Sequence, residues 1–350
     1  MAASSSPEHL RRSRILSSKL YFDVPPSKVP LIYSSDYNIS FLGMEKWHPF
    51  DSSKWGRICQ FLASEGVLDK SCIIEPEEAS KEDLLVVHPE KYLDSLQSSS
   101  TVAKILVVPP VAMLPNCIIQ RKILYPFRKQ VGGSVLAAKL AKERGWAINV
   151  GGGFHHCSAD EGGGFCAYAD ISMCIHFAFV QLNISRVMII DLDAHQGNGH
   201  EVDFSKDKRV YILDMYNSEV YPLDLVSRSY INQNIEIPSG TTTDVYLKKL
   251  DEALEVAKQK FDPELVVYNA GTDILDRDPL GGLKISPEGI IKRDEKVFAF
   301  AREKGTPILM LTSGGYMKSS ARVIADSIIN LSRKQLIDMS GTQDTAGTGS

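Results

Sequence analysis

The amino-acid sequence predicts an α/β fold in which helices cover both faces of a mainly parallel sheet. Four short apolar runs, rich in β-branched residues, are typical of buried strands in such a sheet. Long amphipathic stretches lie between several of these runs, and strands that alternate with helices indicate βαβ units. The predicted strands cover residues 146–150, 187–190, 265–268 and 308–311.

Three amphipathic stretches predict helices that pack on this sheet. They span residues 131–144, 244–261 and 287–304. Gly145 directly follows the first stretch, and glycine often ends a helix because it adopts the left-handed conformation at little cost. Ser286 precedes Pro287 at the start of the third stretch, which predicts a serine N-cap with proline at the first helical position.

The chain of 350 residues is expected to form one catalytic domain, over residues 25–335, between two less ordered ends. Residues 1–24 are predicted to be flexible, and their first part is rich in serine and basic residues. This composition fits either an organelle transit peptide in residues 1–20 or a solvated disordered start, and we favour the second interpretation. The low apolar content of residues 340–350 predicts a disordered tail over 336–350.

Composition narrows the class of protein. The hydrophobic content of 43% and charged content of 23% are typical of a soluble globular enzyme. A formal net charge of −4 argues against direct nucleic-acid binding, and no run reaches the roughly 18 apolar residues that span a membrane. The six cysteines form no C-x-x-C pair, which favours free thiols in a reducing compartment.

Polar fragments follow each of the four predicted strands. They are residues 151–156, 191–195, 269–273 and 313–316, and they contribute carboxylates, imidazoles and a phenol. Open α/β sheets bind ligands just beyond the carboxyl ends of their strands. The four fragments are therefore expected to meet in one site.

A metal centre is the chemistry that these fragments favour. Asp193 and His195 stand two residues apart, so both side chains point the same way if extended geometry continues past the strand. Asp273 supplies a third ligand from another strand end. Three protein ligands with an open fourth position are typical of catalytic zinc. Because the set is rich in oxygen, Fe(II) and Mn(II) stay open as alternatives.

The chain resembles the zinc-dependent histone deacetylases, and within them the class IV branch, from about Tyr33 to Leu331. The resemblance is carried by residues 149–157 (NVGGGFHHC), 162–170 (GGGFCAYAD), 191–200 (DLDAHQGNGH), 268–275 (YNAGTDIL) and 311–316 (LTSGGY). It implies the arginase/deacetylase fold, with three layers and an eight-stranded, mainly parallel sheet. It also implies hydrolysis of Nε-acyl-lysine, with Asp193, His195 and Asp273 as zinc ligands.

The resemblance also implies roles for other polar side chains. Tyr316 is expected to donate its hydroxyl to the developing oxyanion. By position in the family pattern, Asp191 lies behind His155 and Asn198 lies behind His156. Because a carboxylate partner favours the imidazolium and a neutral amide does not, we expect His156 to be the neutral general base and His155 to be the more cationic member.

Two further features are implied by the resemblance. One is a monovalent cation, usually potassium, beside Asp191 and Asp214 and close to the zinc ligands; a salt bridge or an ordered water is the alternative there. The other is a narrow channel for the acyl-lysine arm. Its candidate residues are Gly153, Gly164, Phe165, Tyr221, Leu280 and Gly315, and for Tyr221 and Leu280 core packing is an equal alternative. The class IV branch is associated with long fatty-acyl as well as acetyl groups.

Other functions were compared with protein deacylation. An arginase-like dimanganese hydrolase needs a carboxylate two residues after the histidine, where this chain has Gly197. A small-molecule deacetylase, acting on acetylpolyamines for example, would use the same residues and is the main alternative. A non-catalytic subunit of a chromatin complex is disfavoured by the complete ligand set. The expected partners are acyl-lysine proteins, including histone tails, and a chromatin or co-repressor complex, in the nucleus and/or cytoplasm.

Overall fold

The computed structural model describes residues 6–39, 51 and 53–341. Seven strands lie within these residues: β1 Leu31–Ile32, β2 Trp146–Asn149, β3 Val187–Asp191, β4 Val210–Asn217, β5 Gln233–Ile237, β6 Leu265–Asn269 and β7 Ile308–Leu311. The helices are α1 Pro7–Ser17, α2 Lys54–Ser64, α3 Lys81–Leu84, α4 Glu90–Ser95, α5 Ser99–Leu106, α6 Asn116–Ile119, α7 Tyr125–Arg144, α8 Asp170–Gln181, α9 Asn198–Asp203, α10 Leu225–Arg228, α11 Thr243–Lys260, α12 Pro287–Glu303 and α13 Ser320–Arg333.

All strands of the sheet run parallel, in the order β1-β2-β7-β6-β3-β4-β5. The predicted α/β class is confirmed, but the described residues form seven strands where eight were expected. An isolated parallel bridge between Ile32 and Ile74 continues the sheet beyond β1. Only one residue pair forms there, so the edge where an eighth strand would lie carries a single bridge.

Helices cover both faces of the sheet, as predicted. Side chains alternate along each strand, so that Val187 and Ile189 of β3 face one apolar core while Met188 and Ile190 face the other. The first core includes residues of α1, α7 and α8, and the second includes residues of α2, α11, α12 and α13. Strands such as β3 and β6 are therefore buried on both sides, which explains why their sequences are nearly continuous apolar runs.

The predicted helix ends agree with the structure at Gly145 and Ser286, differ by one residue at both ends of α11 and at the end of α12, and differ by six residues at the start of α7. Gly145 follows α7 with φ +81°, and its N–H donates to the carbonyl of Ala141 over 2.7 Å. Ser286 caps α12 by accepting from the N–H of Gly289 over 3.1 Å. However, α7 begins at Tyr125 rather than at residue 131, since Pro126 falls in the first turn, where proline is tolerated.

Both ends of the chain are more ordered than predicted. The segment 1–24 was expected to be flexible, yet α1 packs on the core through the fully buried Ile15, whose carbonyl accepts from Gln181. The tail was expected to begin at residue 336, yet Ile337 and Met339 are buried in the second core. Residues 1–5 and 342–350 lie outside the described residues. Over the described part of the chain, no helix is long and apolar enough to cross a membrane.

Strand register brings the polar fragments to one edge. The last residue of β3, Asp191, pairs with Asn269 at the end of β6 and with Asp214 in β4. Asn269 in turn pairs with Leu311 at the end of β7, and Leu311 pairs with Asn149 at the end of β2. The loops after these four strand ends therefore start at the same level.

Candidate active site

Asp193, His195 and Asp273 form one buried cluster at this edge. One ligating atom from each lies within 4.8 Å of the other two. His195 Nδ1 is 3.0 Å from Asp193 Oδ1 and 3.0 Å from Asp273 Oδ2. The extended geometry assumed for Asp193 and His195 does not continue, because β3 ends at Asp191. The two side chains converge through a turn in which the N–H of His195 donates to Asp193 Oδ1.

The remaining carboxylate oxygens of the cluster are held by the protein. Asp193 Oδ2 accepts from Ser313 Oγ over 2.8 Å and from the N–H of Gly314 over 3.0 Å. Asp273 Oδ1 accepts from the N–H of Ala194 over 2.8 Å. One oxygen of each carboxylate is thus tied to a neighbouring loop, while the other faces His195 Nδ1. This is the arrangement expected of ligands that are oriented before an ion binds.

The electrostatics of the cluster suit a bound cation. Burial and the charge of Asp193 raise the pKa of Asp273 to about 7. Burial alone would lower the pKa of His195, but its hydrogen bonds to the two carboxylates outweigh this and raise the pKa to about 10. Two buried carboxylates that repel each other and share one imidazole proton favour a divalent ion in place of that proton. The donor set present in the structure therefore fits zinc, or another divalent ion that accepts oxygen and nitrogen ligands.

The two tandem histidines lie beside this cluster with different partners. His155 Nδ1 is 3.0 Å from Asp191 Oδ2, and His156 Nδ1 is 2.8 Å from Asn198 Oδ1. The two ring centroids are 4.1 Å apart. Asp191 and Asn198, the partners predicted for the two histidines, are therefore the residues that contact them in the structure.

The different surroundings of the two imidazoles shift their pKa values in opposite directions. Burial opposes the protonation of both. At His155 the charges of Asp191 and Asp193 outweigh burial and raise the pKa to about 9. At His156 burial, reinforced by the charges of His155 and His195, holds the pKa well below 6.5. The surroundings of His155 thus favour its cationic form, and those of His156 favour its neutral form.

Tyr316 lies on the loop after β7, with its ring near that of His195. The ring centroids of Tyr316 and His195 are 6.4 Å apart, and the N–H of Tyr316 donates to Asp278 Oδ2 over 2.8 Å. Burial and the charges of Asp273 and Asp193 raise the pKa of Tyr316 well above 10. Its phenol is therefore protonated at neutral pH and able to donate a hydrogen bond.

The loop that carries Tyr316 is fixed by a lysine from α2. The buried Lys54 Nζ donates to the carbonyls of Thr312, Ser313 and Gly314, over 3.3, 2.6 and 3.1 Å. Burial lowers the pKa of Lys54 to about 8. Three carbonyls on one ammonium hold this loop close to the second core.

A pocket opens beside the cluster. The predicted channel residues Gly153, Gly164 and Phe165 line it, together with both tandem histidines, Asp193 and Tyr316. Gly164 has φ +51°, and a Cβ atom there would lie 2.4 Å from His156 Cδ2. A side chain at this position would therefore press on the neutral histidine.

The other three channel candidates have different positions. The ring of Tyr221 meets that of His156 edge to face, with centroids 4.8 Å apart, and 47% of Tyr221 is exposed. Tyr221 therefore packs on His156 and is not itself among the described residues that line the pocket. Gly315 and Leu280 are not among the described residues that line the pocket. A Cβ atom at Gly315 would face Thr272 and Ser320, and the neighbouring Gly314 lines the pocket wall.

A second buried group lies behind the first. Asp191, His200 and Asp214 bring one ligating atom each to within 4.8 Å of the others. His200 Nε2 is 2.8 Å from Asp191 Oδ2, the same oxygen that His155 approaches. Burial and the charges of Asp191 and Glu201 raise the pKa of Asp214 well above 3.8. Asp191 and Asp214, the two residues predicted for the monovalent cation, thus lie together in the structure, and the imidazole of His200 lies beside them.

Sequence reasoning missed several residues that complete the site. His200 is within the motif 191–200, but nothing in its spacing indicates a contact with Asp191. Ser313 belongs to the predicted fragment 313–316, but the hydrogen bond from its hydroxyl to Asp193 was not predicted. Lys54 and the buried Arg293 come from helices far away along the chain, and no sequence signal points to them.

Comparison with known proteins assigns the family. The histone deacetylase domain matches residues 48–331 of the chain. Histone deacetylase 2 of Arabidopsis thaliana is 73% identical over 331 residues, which cover 95% of this chain and 86% of that protein. The crystal structure of the HDA15 HD domain has a TM-score of 0.72 at 20% identity, covering 92% of each chain. An HDAC homologue complexed with SAHA has a TM-score of 0.69 at 24% identity, covering 90% of this chain and 85% of the other.

The two solved structures confirm the α/β fold class. The family match and the close relative go further, because they extend over most of the chain. The protein belongs to the histone deacetylase family, and it is an enzyme of that family.

Proposed function

We propose that this protein is a zinc-dependent Nε-acyl-lysine deacylase of the class IV branch. The observation that carries the proposal is the buried cluster of Asp193, His195 and Asp273 at the base of a pocket that also contains two unlike histidines and a tyrosine. These three residues would hold a zinc ion, which would supply Lewis-acid chemistry to the amide carbonyl and to a water.

The acid–base roles follow from the partners of the histidines. His156, held by Asn198 and neutral at pH 7, takes the proton from the attacking water. His155, held by Asp191 and cationic, stabilises negative charge and returns a proton to the leaving amine. The Tyr316 hydroxyl donates to the oxyanion that develops on the carbonyl oxygen. Each role matches the protonation state that the surroundings of the residue favour.

The pocket supports an acyl-lysine substrate. Gly153 and Gly164 let the wall approach closely, and Phe165 offers an aromatic face to an aliphatic stem. We propose acetyl-lysine proteins, including histone tails, as substrates, with action in the nucleus and/or cytoplasm and within a chromatin or co-repressor complex. A monovalent cation at Asp191 and Asp214 is part of the proposal, since a cation would offset the two buried carboxylates.

The test is turnover by purified full-length protein before and after metal removal. Three substrates are compared: an acetyl-lysine histone peptide, the same peptide with myristoyl-lysine, and acetylputrescine. We expect deacetylation of the peptide to be lost with a chelator and restored by zinc. Preference for acetylputrescine would mean that the substrate is a small molecule rather than a protein. Preference for myristoyl-lysine would mean that the enzyme removes long-chain acyl groups rather than acetyl groups.

A matched pair of variants separates the site from the fold. Asp273→Asn removes a ligand, and Asp276→Asn makes the same change at an exposed position of the same loop. We expect only the first variant to lose activity and bound zinc. Equal activity of the two variants would contradict the proposed metal site.

A further inference from the structure

Arg293 is a fully buried cation on α12 whose guanidinium reaches the backbone of two loops of the site. Its Nη1 donates to the carbonyl of Gly271 and, over 3.2 Å, to the carbonyl of Leu192. Leu192 directly precedes Asp193, and Gly271 lies two residues before Asp273. One nitrogen therefore joins the two loops that carry the carboxylates of the metal cluster.

The two loops lie against each other at this point. Gly271 has no room for a side chain, because a Cβ atom would lie 2.1 Å from Asp193 Oδ2 and 2.6 Å from Asp193 Cα. The N–H of Ala194 donates to Asp273 Oδ1 over 2.8 Å. The contact between the two loops therefore sets the separation of the two carboxylates. The guanidinium of Arg293 binds both loops from the side of α12.

A second layer of buried groups holds the guanidinium. Arg293 Nε donates to Asp294 Oδ1 over 2.8 Å, and the same carboxylate accepts from the hydroxyls of Tyr268 and Ser327. All four side chains are buried. Burying a charge costs free energy unless partners compensate for it, and here a carboxylate and two carbonyls do so. Because Tyr268 lies on β6 and Ser327 on α13, three elements fix the direction in which Arg293 points.

We propose that Arg293 is a positioning residue of the metal centre, which fixes the separation of the Asp193 and Asp273 carboxylates and so raises the affinity for the ion. The inference rests on the proposed zinc site. A planar guanidinium presents donors in a fixed fork, whereas the ammonium of lysine is a flexible point charge. Contacts behind metal ligands typically change metal affinity by about 10–100-fold.

The experiment compares zinc binding by the wild type, Arg293→Lys and Arg293→Met with that of Arg322→Lys. Arg322 lies on α13, where it pairs with Asp326 and Glu65 at the surface, so its substitution is a matched control. The zinc dissociation constant is measured by competition with a chelator, and the melting temperature is measured with and without zinc.

We expect Arg293→Lys to fold and to bind zinc about 10–100-fold more weakly, with a smaller rise in melting temperature on zinc addition. Arg322→Lys should keep the wild-type affinity and the wild-type rise. If Arg293→Met does not fold, Arg293→Lys decides the question alone.

Two other outcomes separate the inference from the proposed function. A variant that melts lower by the same amount with and without zinc, at unchanged zinc affinity, would mean that Arg293 stabilises the fold only, and the inference would be overturned. A wild-type protein that binds no zinc would instead overturn the proposed function.

Discussion

Replacing Asn198 with aspartate tests the assignment of the general base. The substitution places a carboxylate where an amide oxygen now lies 2.8 Å from His156 Nδ1. A negative charge there favours the imidazolium, so the pKa of His156 rises and less neutral base is present at a given pH. The acidic limb of the pH profile of kcat/KM should therefore move to higher pH, while the alkaline side changes less.

The size of the shift can be taken from the same site. His155, which has a carboxylate at 3.0 Å, has a pKa of about 9, whereas His156 beside its amide is held well below 6.5. Two unit charges 4 Å apart interact by about 4 kcal/mol at an effective dielectric constant of about 20. At 1.36 kcal/mol per pH unit this is a ceiling of roughly 3 units, and the cost of burying the new carboxylate lowers it. We expect the limb to move by about 1–2 units.

The assay is a pH–rate profile of the acetyl-lysine peptide reaction for the wild type, Asn198→Asp and Asn183→Asp. The last variant adds the same charge at an exposed position, and its profile should match the wild type. At neutral pH, His156→Ala should be more damaging than His155→Ala, since it removes the base. An acidic limb that stays in place, together with His155→Ala as the worse variant, would reverse the two roles.

Further predictions concern the metal ligands, the phenol and the channel wall. Asp193→Ala, His195→Ala and Asp273→Ala should each abolish activity and lower the zinc content found by elemental analysis, because too few donors remain. Tyr316→Phe should keep zinc and lose roughly 10²–10³ in kcat, the usual effect of removing one oxyanion donor. Gly164→Ala should lose about 10² in kcat/KM, because its methyl group would displace the imidazole of His156. A misplacement of about 1 Å in an active site can cost that much in rate.

Each of these predictions has a control or a contrary result. Full zinc occupancy in all three ligand variants would exclude the assigned site. If the kcat of Tyr316→Phe stayed within a few-fold of the wild-type value, Tyr316 would be a packing residue and not an oxyanion donor. Gly240→Ala is the control for Gly164→Ala, because Gly240 also has a positive φ, of +78°, but nothing within 4 Å of its Cβ position. Equal losses in the two glycine variants would attribute the effect to backbone strain.

Four strands, β2, β3, β6 and β7, could be predicted because each is a fully buried apolar run. β4 is also buried throughout, but Asp214 interrupts its apolar run, and it was not predicted. Residues 187–190 and 265–268 became β3 and β6 with one residue added to each. β5 was not predicted, since it is an edge strand whose residues are mostly half-exposed and polar, and β1 has only two residues. A count of eight strands came from the family pattern, and the single bridge at Ile74 depends on long-range packing that no local run of residues encodes.

The residues of the metal cluster, and the partners of the two histidines, could be predicted, whereas Ser313, Lys54 and Arg293, which hold the loops of the site, could not. Asp193, His195 and Asp273 follow apolar runs, which places them at strand ends. Arg293 lies in a charged stretch, residues 292–296, that resembles the exposed face of an amphipathic helix. Only the packing of α12 against α13 and β6 makes it buried, and this packing depends on residues far apart in the chain.

The attachment of α1 bears on how the N-terminus can be processed. Ile15 and Leu20 are both part of the first core, and Arg11 donates from the same segment to the carbonyl of Val86 over 2.9 Å. A protease that cut after residue 20 would therefore remove part of the folded enzyme. It would uncover apolar surface beside α8 and leave the amide of Gln181 without its acceptor.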